Sequence, residues 1–102
     1  MTAQWSVYIL ETAAGSYYTG VATDPMARYR DHEAGRGARA VRMAGGPRRL
    51  LWQLDGLDRG TALQLERAIK ALSRPTKERL VTEGPEAAGL ATGSPNTSAG
   101  AS

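Results

Sequence analysis

Apolar and polar positions alternate through Trp5-Ser6-Val7-Tyr8-Ile9-Leu10-Glu11, so Trp5, Val7 and Ile9 share one face of an extended chain while Ser6, Tyr8 and Leu10 share the other. That period predicts a strand. Thr12 to Ser16 reads as a turn, with Gly15 able to take a positive φ, and Tyr17 to Ala22 is rich in β-forming residues. A β-hairpin follows, with Tyr8 and Tyr18 on neighbouring strands. The pattern then changes. Asp24 is suited to cap a helix that Pro25 opens and that runs to about Ala34, before Gly35. Residues 35–47 form a Gly/Arg-rich connection with room for a short helical turn at 38–43. Arg49 to Leu54 is the most apolar run and predicts a third strand. Asp58 to Ser73 is the main helix, with Ala62, Leu65, Ile69 and Leu72 on one face. Pro75 ends it and opens a second short helix over 75–82. The order β-β-α-β-α-α predicts an α+β layer arrangement.

The hydrophobic pattern stops there. Residues 83–102 hold one Leu and no aromatic residue, so they are expected to form a disordered tail behind a folded unit at 1–82. With no cysteine among 102 residues, disulfides and thiolate metal sites are ruled out, which fits a cytoplasmic setting. Neither a secretory leader nor an apolar run of membrane-spanning length is expected.

Charge changes the picture more. The formal net charge is +3, but Pro25 to Leu50 carries seven arginines (28, 30, 36, 39, 42, 48 and 49) against Asp31 and Glu33. A localised basic stretch suggests a polyanionic partner. Arg30, Arg36, Arg39, Arg42 and, on the main helix, Lys70 are the candidate nucleic-acid contacts. The alternative is a solvated Arg-rich loop.

The candidate chemistry lies in five residues. Tyr8 and Tyr18 are ten positions apart, Arg28 follows Tyr18 by ten, and His32 follows Arg28 by four, on the same helix face. A phenol can position water, or act as a base once a cation lowers its pKa, whereas a cross-strand tyrosine pair needs no chemistry. A guanidinium can grip a phosphate in bidentate fashion, unless Arg28 is spent on Asp24 or Asp31. His32, the lone imidazole, can relay a proton to or from a tyrosine. Glu66 borders the apolar face of the main helix, where a carboxylate needs a partner, either a metal ion or Lys70 four residues on. Trp5 and Trp52 sit in strands and read as core residues.

Together these residues resemble the GIY-YIG nuclease superfamily, and its small stand-alone bacterial members in particular. The first family element is similar to Ser6-Val7-Tyr8 and continues into Ile9-Leu10; the second is similar to Tyr18-Thr19-Gly20, preceded by Gly15-Ser16-Tyr17. Arg28 and His32 follow in ATDPMARYRDH, then GRGAR at 35–39, then LERAIKALSR at 65–74, which carries Glu66. The resemblance covers 5 to about 80. It implies a three-stranded antiparallel sheet flanked by helices and a DNA endonuclease using one Mg²⁺ or Mn²⁺ ion and direct attack of water. Tyr8 or Tyr18 would be the base, Tyr8 being favoured, with His32 as relay. Arg28 would stabilise the transition state, and Glu66 would hold the ion. Branched or single-stranded DNA, as met in repair, would be the substrate; a nucleic-acid-binding module with little or no cleavage is the alternative. Ser6, Val7 and Thr19 depart from the family's residues, and the asparagine that many members carry after the glutamate has no counterpart here, since Asn96 is the chain's only Asn. Thr76 or Lys77 would stand in that region.

Overall fold

A computed structural model describes residues 4–90. Strands β1 (Trp5–Thr12), β2 (Tyr17–Ala22) and β3 (Pro47–Leu57) form one antiparallel sheet in the order β2-β1-β3. β1 is therefore central and buried on both faces. Val7, Tyr8, Ile9 and Leu10 are all at most 1% exposed. β3 is longer than the apolar run at 49–54 predicts. It extends to Pro47 at one end and Leu57 at the other, where pairing with Thr12 and Trp5 of β1 holds it across register shifts that leave Arg48, Asp55 and Gly56 without a β1 partner.

The hairpin turn closes as the sequence predicts: Gly15 takes φ 86° and donates its N–H to the Thr12 carbonyl at 2.9 Å. Helix α1 (Pro25–Glu33) starts from Asp24, whose carboxylate accepts the Ala27 N–H at 3.1 Å. α2 (Arg39–Met43) is the short turn expected inside the glycine-rich connection. α3 (Arg59–Lys70) and α4 (Arg74–Glu83) have Asp58 and Ser73 as caps.

Alternation along β1 feeds two cores. Val7 and Ile9 pack with Ala62, Leu65 and Ile69 of α3 and Leu80 of α4, flanked by the partly buried Trp5 and Trp52. Burying each large side chain there stabilises the fold by about 1.5–3 kcal/mol. Tyr8 and Leu10 point the other way and pack with Ala22 and Val41 beneath α1 and α2. The expected tail from 83 onward meets ordered structure first. α4 runs through Glu83, a 3₁₀ turn spans Pro85–Ala88, and Ala88 and Leu90 lie against the first core. The rest of that segment, 91–102, falls outside the described residues. No helix among the described residues is long and apolar enough to cross a membrane.

Candidate active site

The register sets the tyrosines. Tyr8 pairs with Gly20 and Leu10 with Tyr18, so the two tyrosines are diagonal neighbours on one face, their ring centroids 6.3 Å apart. Gly20 is what allows this. A Cβ there would lie 2.5 Å from the Tyr8 Oη and 3.1 Å from the Tyr18 ring. Tyr8 thus lies across the backbone of β2.

α1 delivers His32 to the same place. Its ring stands edge-on to Tyr18, with centroids 5.6 Å apart, and its Nε2 is 3.1 Å from the Tyr8 Oη. Its Nδ1 accepts the Ala38 backbone N–H at 3.3 Å. A neutral imidazole that accepts at Nδ1 carries its proton on Nε2, so Nε2–H donates to the Tyr8 oxygen. Burial, aided by the Arg28 charge, lowers the His32 pKa against the opposing pull of Asp31, which favours that neutral form. Gly37 makes room for the ring, since a Cβ there would fall 2.1 Å from Nδ1. Neither Gly20 nor Gly37 has a positive φ, so no turn signal marks them. Both were legible only as members of short motifs, and the role of Ala38, which acts through its backbone, was not legible at all.

The charges of Arg28 and Glu66, carried on two helices, both bear on the Tyr8 phenol. Burial first, and then Tyr18, push its pKa up to about 12; the Arg28 guanidinium lowers it and the Glu66 carboxylate raises it. Two side chains far apart in sequence therefore act on one oxygen. Arg28 is 41% exposed, with only a 3.8 Å contact to Asp31 four-fifths of a turn on, so it is available to a phosphate. Glu66 is 19% exposed and pairs with Lys70 at 3.3 Å, the competitor that its spacing predicts.

Could this site hold a divalent ion? No group of three or more His, Cys, Asp or Glu side chains converges among the described residues. One carboxylate suits a hard, hydrated cation such as Mg²⁺, which takes one or two protein carboxylates and fills its other positions with water and phosphate oxygens. Glu66 fits that requirement if Lys70 yields it.

The basic stretch divides. Arg48 and Arg49 pair with Glu11, at 3.8 and 2.8 Å, and Arg48 also donates to the Ala13 carbonyl. Arg36 contacts Asp31 at 3.4 Å. Arg30, Arg39 and Arg42 are exposed and form no ion pair among the described residues. Those last three keep their charge free for a polyanion, and α2, which carries two of them, is anchored by the buried Val41 beside Tyr8 and Leu10.

Residues 4–79 match the family model described as the GIY-YIG catalytic domain. A UPF0213 protein of Aeromonas salmonicida is 50% identical over 80 residues, covering 78% of this chain and 58% of that protein. A UPF0213 protein of Yersinia pestis is 44% identical over 81 residues, covering 79% of this chain and 84% of its own length. The solution structure of a UPF0213 protein from Bacillus halodurans aligns with a TM-score of 0.51 at 37% identity, over 85% of this chain and 94% of that one. The matched region thus spans less than two thirds of the Aeromonas relatives, 58% and 57% of their lengths.

Proposed function

We propose that this chain, which belongs to the GIY-YIG catalytic domain family, is an endonuclease that hydrolyses DNA phosphodiester bonds with one bound Mg²⁺ or Mn²⁺ ion. The observation that carries this is the cluster of Tyr8, Tyr18 and His32, with His32 hydrogen-bonded to the Tyr8 phenol, on which the charges of Arg28 and Glu66 also bear. A phosphate beside Tyr8 would meet a guanidinium that offsets its developing negative charge. After Tyr8 has released its own proton to solvent, the attacking water would give up a proton to the Tyr8 phenolate Oη, with Tyr18 assisting. The Nε2–H of His32 would stabilise that phenolate by donating to it. Glu66 would hold the ion, which when bound supplies charge neutralisation at the phosphate and the leaving oxygen. Neutralising Glu66 would also remove one of the charges that now raises the Tyr8 pKa.

Arg30, Arg39 and Arg42 would track the phosphate backbone, with Arg36 and Lys70 joining once they leave Asp31 and Glu66. Phosphate contacts carry no base sequence, so the reading favours a substrate chosen by structure, branched or single-stranded DNA in repair. The nuclease unit would be 1–82, and the lack of cysteine supports a cytoplasmic setting.

A second reading, a nucleic-acid-binding module that cuts weakly or not at all, is favoured by the high Tyr8 pKa and by the Lys70 hold on Glu66. Plasmid, branched and single-stranded DNA incubated with Mg²⁺ or Mn²⁺ separate the two. Cleavage by the wild type and not by Glu66→Ala is expected. Salt-dependent binding with no cleavage by either protein would select the binding module instead.

A further inference from the structure

Beyond Arg28, at the outer edge of β2, the surface opens into a cavity of about 330 Å³ whose lining includes Trp5, Val21, Asp24, Ala27, Arg28 and Asp31. Arg28 belongs to both places, because its charge acts on Tyr8 and its side chain walls the cavity. A phosphate gripped by Arg28 opposite Tyr8 therefore has its neighbouring nucleoside beside this cavity.

It is shallow and open to solvent, with room for one nucleobase to lie against it. Its chemistry selects further. Val21, Ala27 and Trp5 offer apolar surface to the face of a base. Asp24 and Asp31 border the opening, and their charge opposes a phosphate there while attracting hydrogen-bond donors. Asp24 spends Oδ1 on the Ala27 N–H at 3.1 Å, which leaves Oδ2 to accept another donor. Asp31 is already occupied by Arg28 and Arg36, at 3.8 and 3.4 Å.

We infer that this cavity is a subsite for one unpaired nucleobase carrying an exocyclic amine, seated beside the phosphate held by Arg28 and bonded through that amine to Asp24. Cytosine, adenine and guanine carry such an amine, whereas the N3–H of an unpaired thymine lies between two carbonyl oxygens that a carboxylate repels. In a duplex the faces of each base are covered by stacked neighbours, so a base seated face-on against Trp5, Val21 and Ala27 comes from an unpaired strand. This inference rests on the nuclease reading and deepens it by naming a base class.

The test uses the full chain without divalent ion, so that no cleavage occurs, and measures fluorescence anisotropy with short labelled dC and dT strands, which differ in the amine but little in size. Wild type is expected to bind dC about tenfold more tightly, the scale of one hydrogen bond to a charged group. Asp24→Asn keeps a good helix cap, checked by its melting temperature, and presents an amide donor, so its preference should vanish or turn toward dT. Equal binding of both strands by wild type overturns the subsite, and so does a dC preference that survives unchanged in Asp24→Asn. DNA cleavage without base preference defeats this inference and leaves the nuclease reading standing; no binding to any DNA defeats both.

Discussion

The two faces of the sheet are buried to the same depth and differ in what burial achieves. On one face Val7 and Ile9 meet Ala62, Leu65, Ile69 and Leu80, and contact is enough. On the other, Tyr8 and His32 are each 1% exposed, yet both are held by directed hydrogen bonds and by space that two glycines leave open. The first face stabilises through removal of apolar area from water, which tolerates small shifts. The second orients ring atoms, which does not. Stability should therefore be lost by changes to the α3 and α4 side chains packed in the first core, and reactivity by changes on the α1 and α2 side and at Glu66, which stands outside that core on α3.

The largest effect that would confirm this division is on the apolar face. Ile69→Ala is expected to cost about 2–5 kcal/mol in chemical denaturation, as a cavity in a packed core does. Next, Arg28→Ala should lower cleavage about 10²–10³-fold while changing unfolding free energy by no more than about 1 kcal/mol. An unfolded Arg28→Ala protein would show that Arg28 serves the fold instead. Gly37→Ala crosses the two categories. Its Cβ must push the imidazole from Nδ1, which should cost about 1–3 kcal/mol and break both ring hydrogen bonds, visible as a change in the His32 ring nitrogen shifts by NMR. Thr19 is the polar intruder on the apolar side, with a buried Oγ1 that has no partner. Thr19→Val should raise stability by about 1 kcal/mol, read as a higher melting temperature.

The smallest effect is pH dependence on the reactive face. Folding depresses the His32 pKa, so the unfolded chain binds the proton more readily. Stability from this group is full above the unfolded value of roughly 6.5 and is lost as pH falls through it toward the folded value. A melting series from neutral to mildly acidic pH should show that limb in wild type and a weaker one in His32→Asn.

Much of this was legible along the chain because period and punctuation act locally. The alternation of 5–11, the Asp24-Pro25 helix start and the Ala62, Leu65 and Ile69 stripe each predicted an element that the structure contains. What stayed illegible depends on contacts between segments. β3 exceeds its apolar run because its ends are held by pairing with β1. The turn at Pro85–Ala88 follows a composition that reads as unstructured, and it is Ala88 and Leu90 against the first core that give it a place. At the candidate site the five reactive residue types stood out by their chemistry. The tyrosines' diagonal relation follows from the Tyr8 to Gly20 register, and Gly37 matters only through a ring five positions away in the chain.

β1 precedes both of its sheet partners in chain order, yet it is the innermost strand. β2 follows after a short turn, whereas the opposite edge stays open until Pro47–Leu57 has been made, and Leu80 closes over it later still. During synthesis its Val7-Tyr8-Ile9-Leu10 run thus presents an uncovered apolar edge until β3 has been made. The segment that does most to define the finished molecule is also the one most in need of protection from neighbouring chains before the molecule is complete.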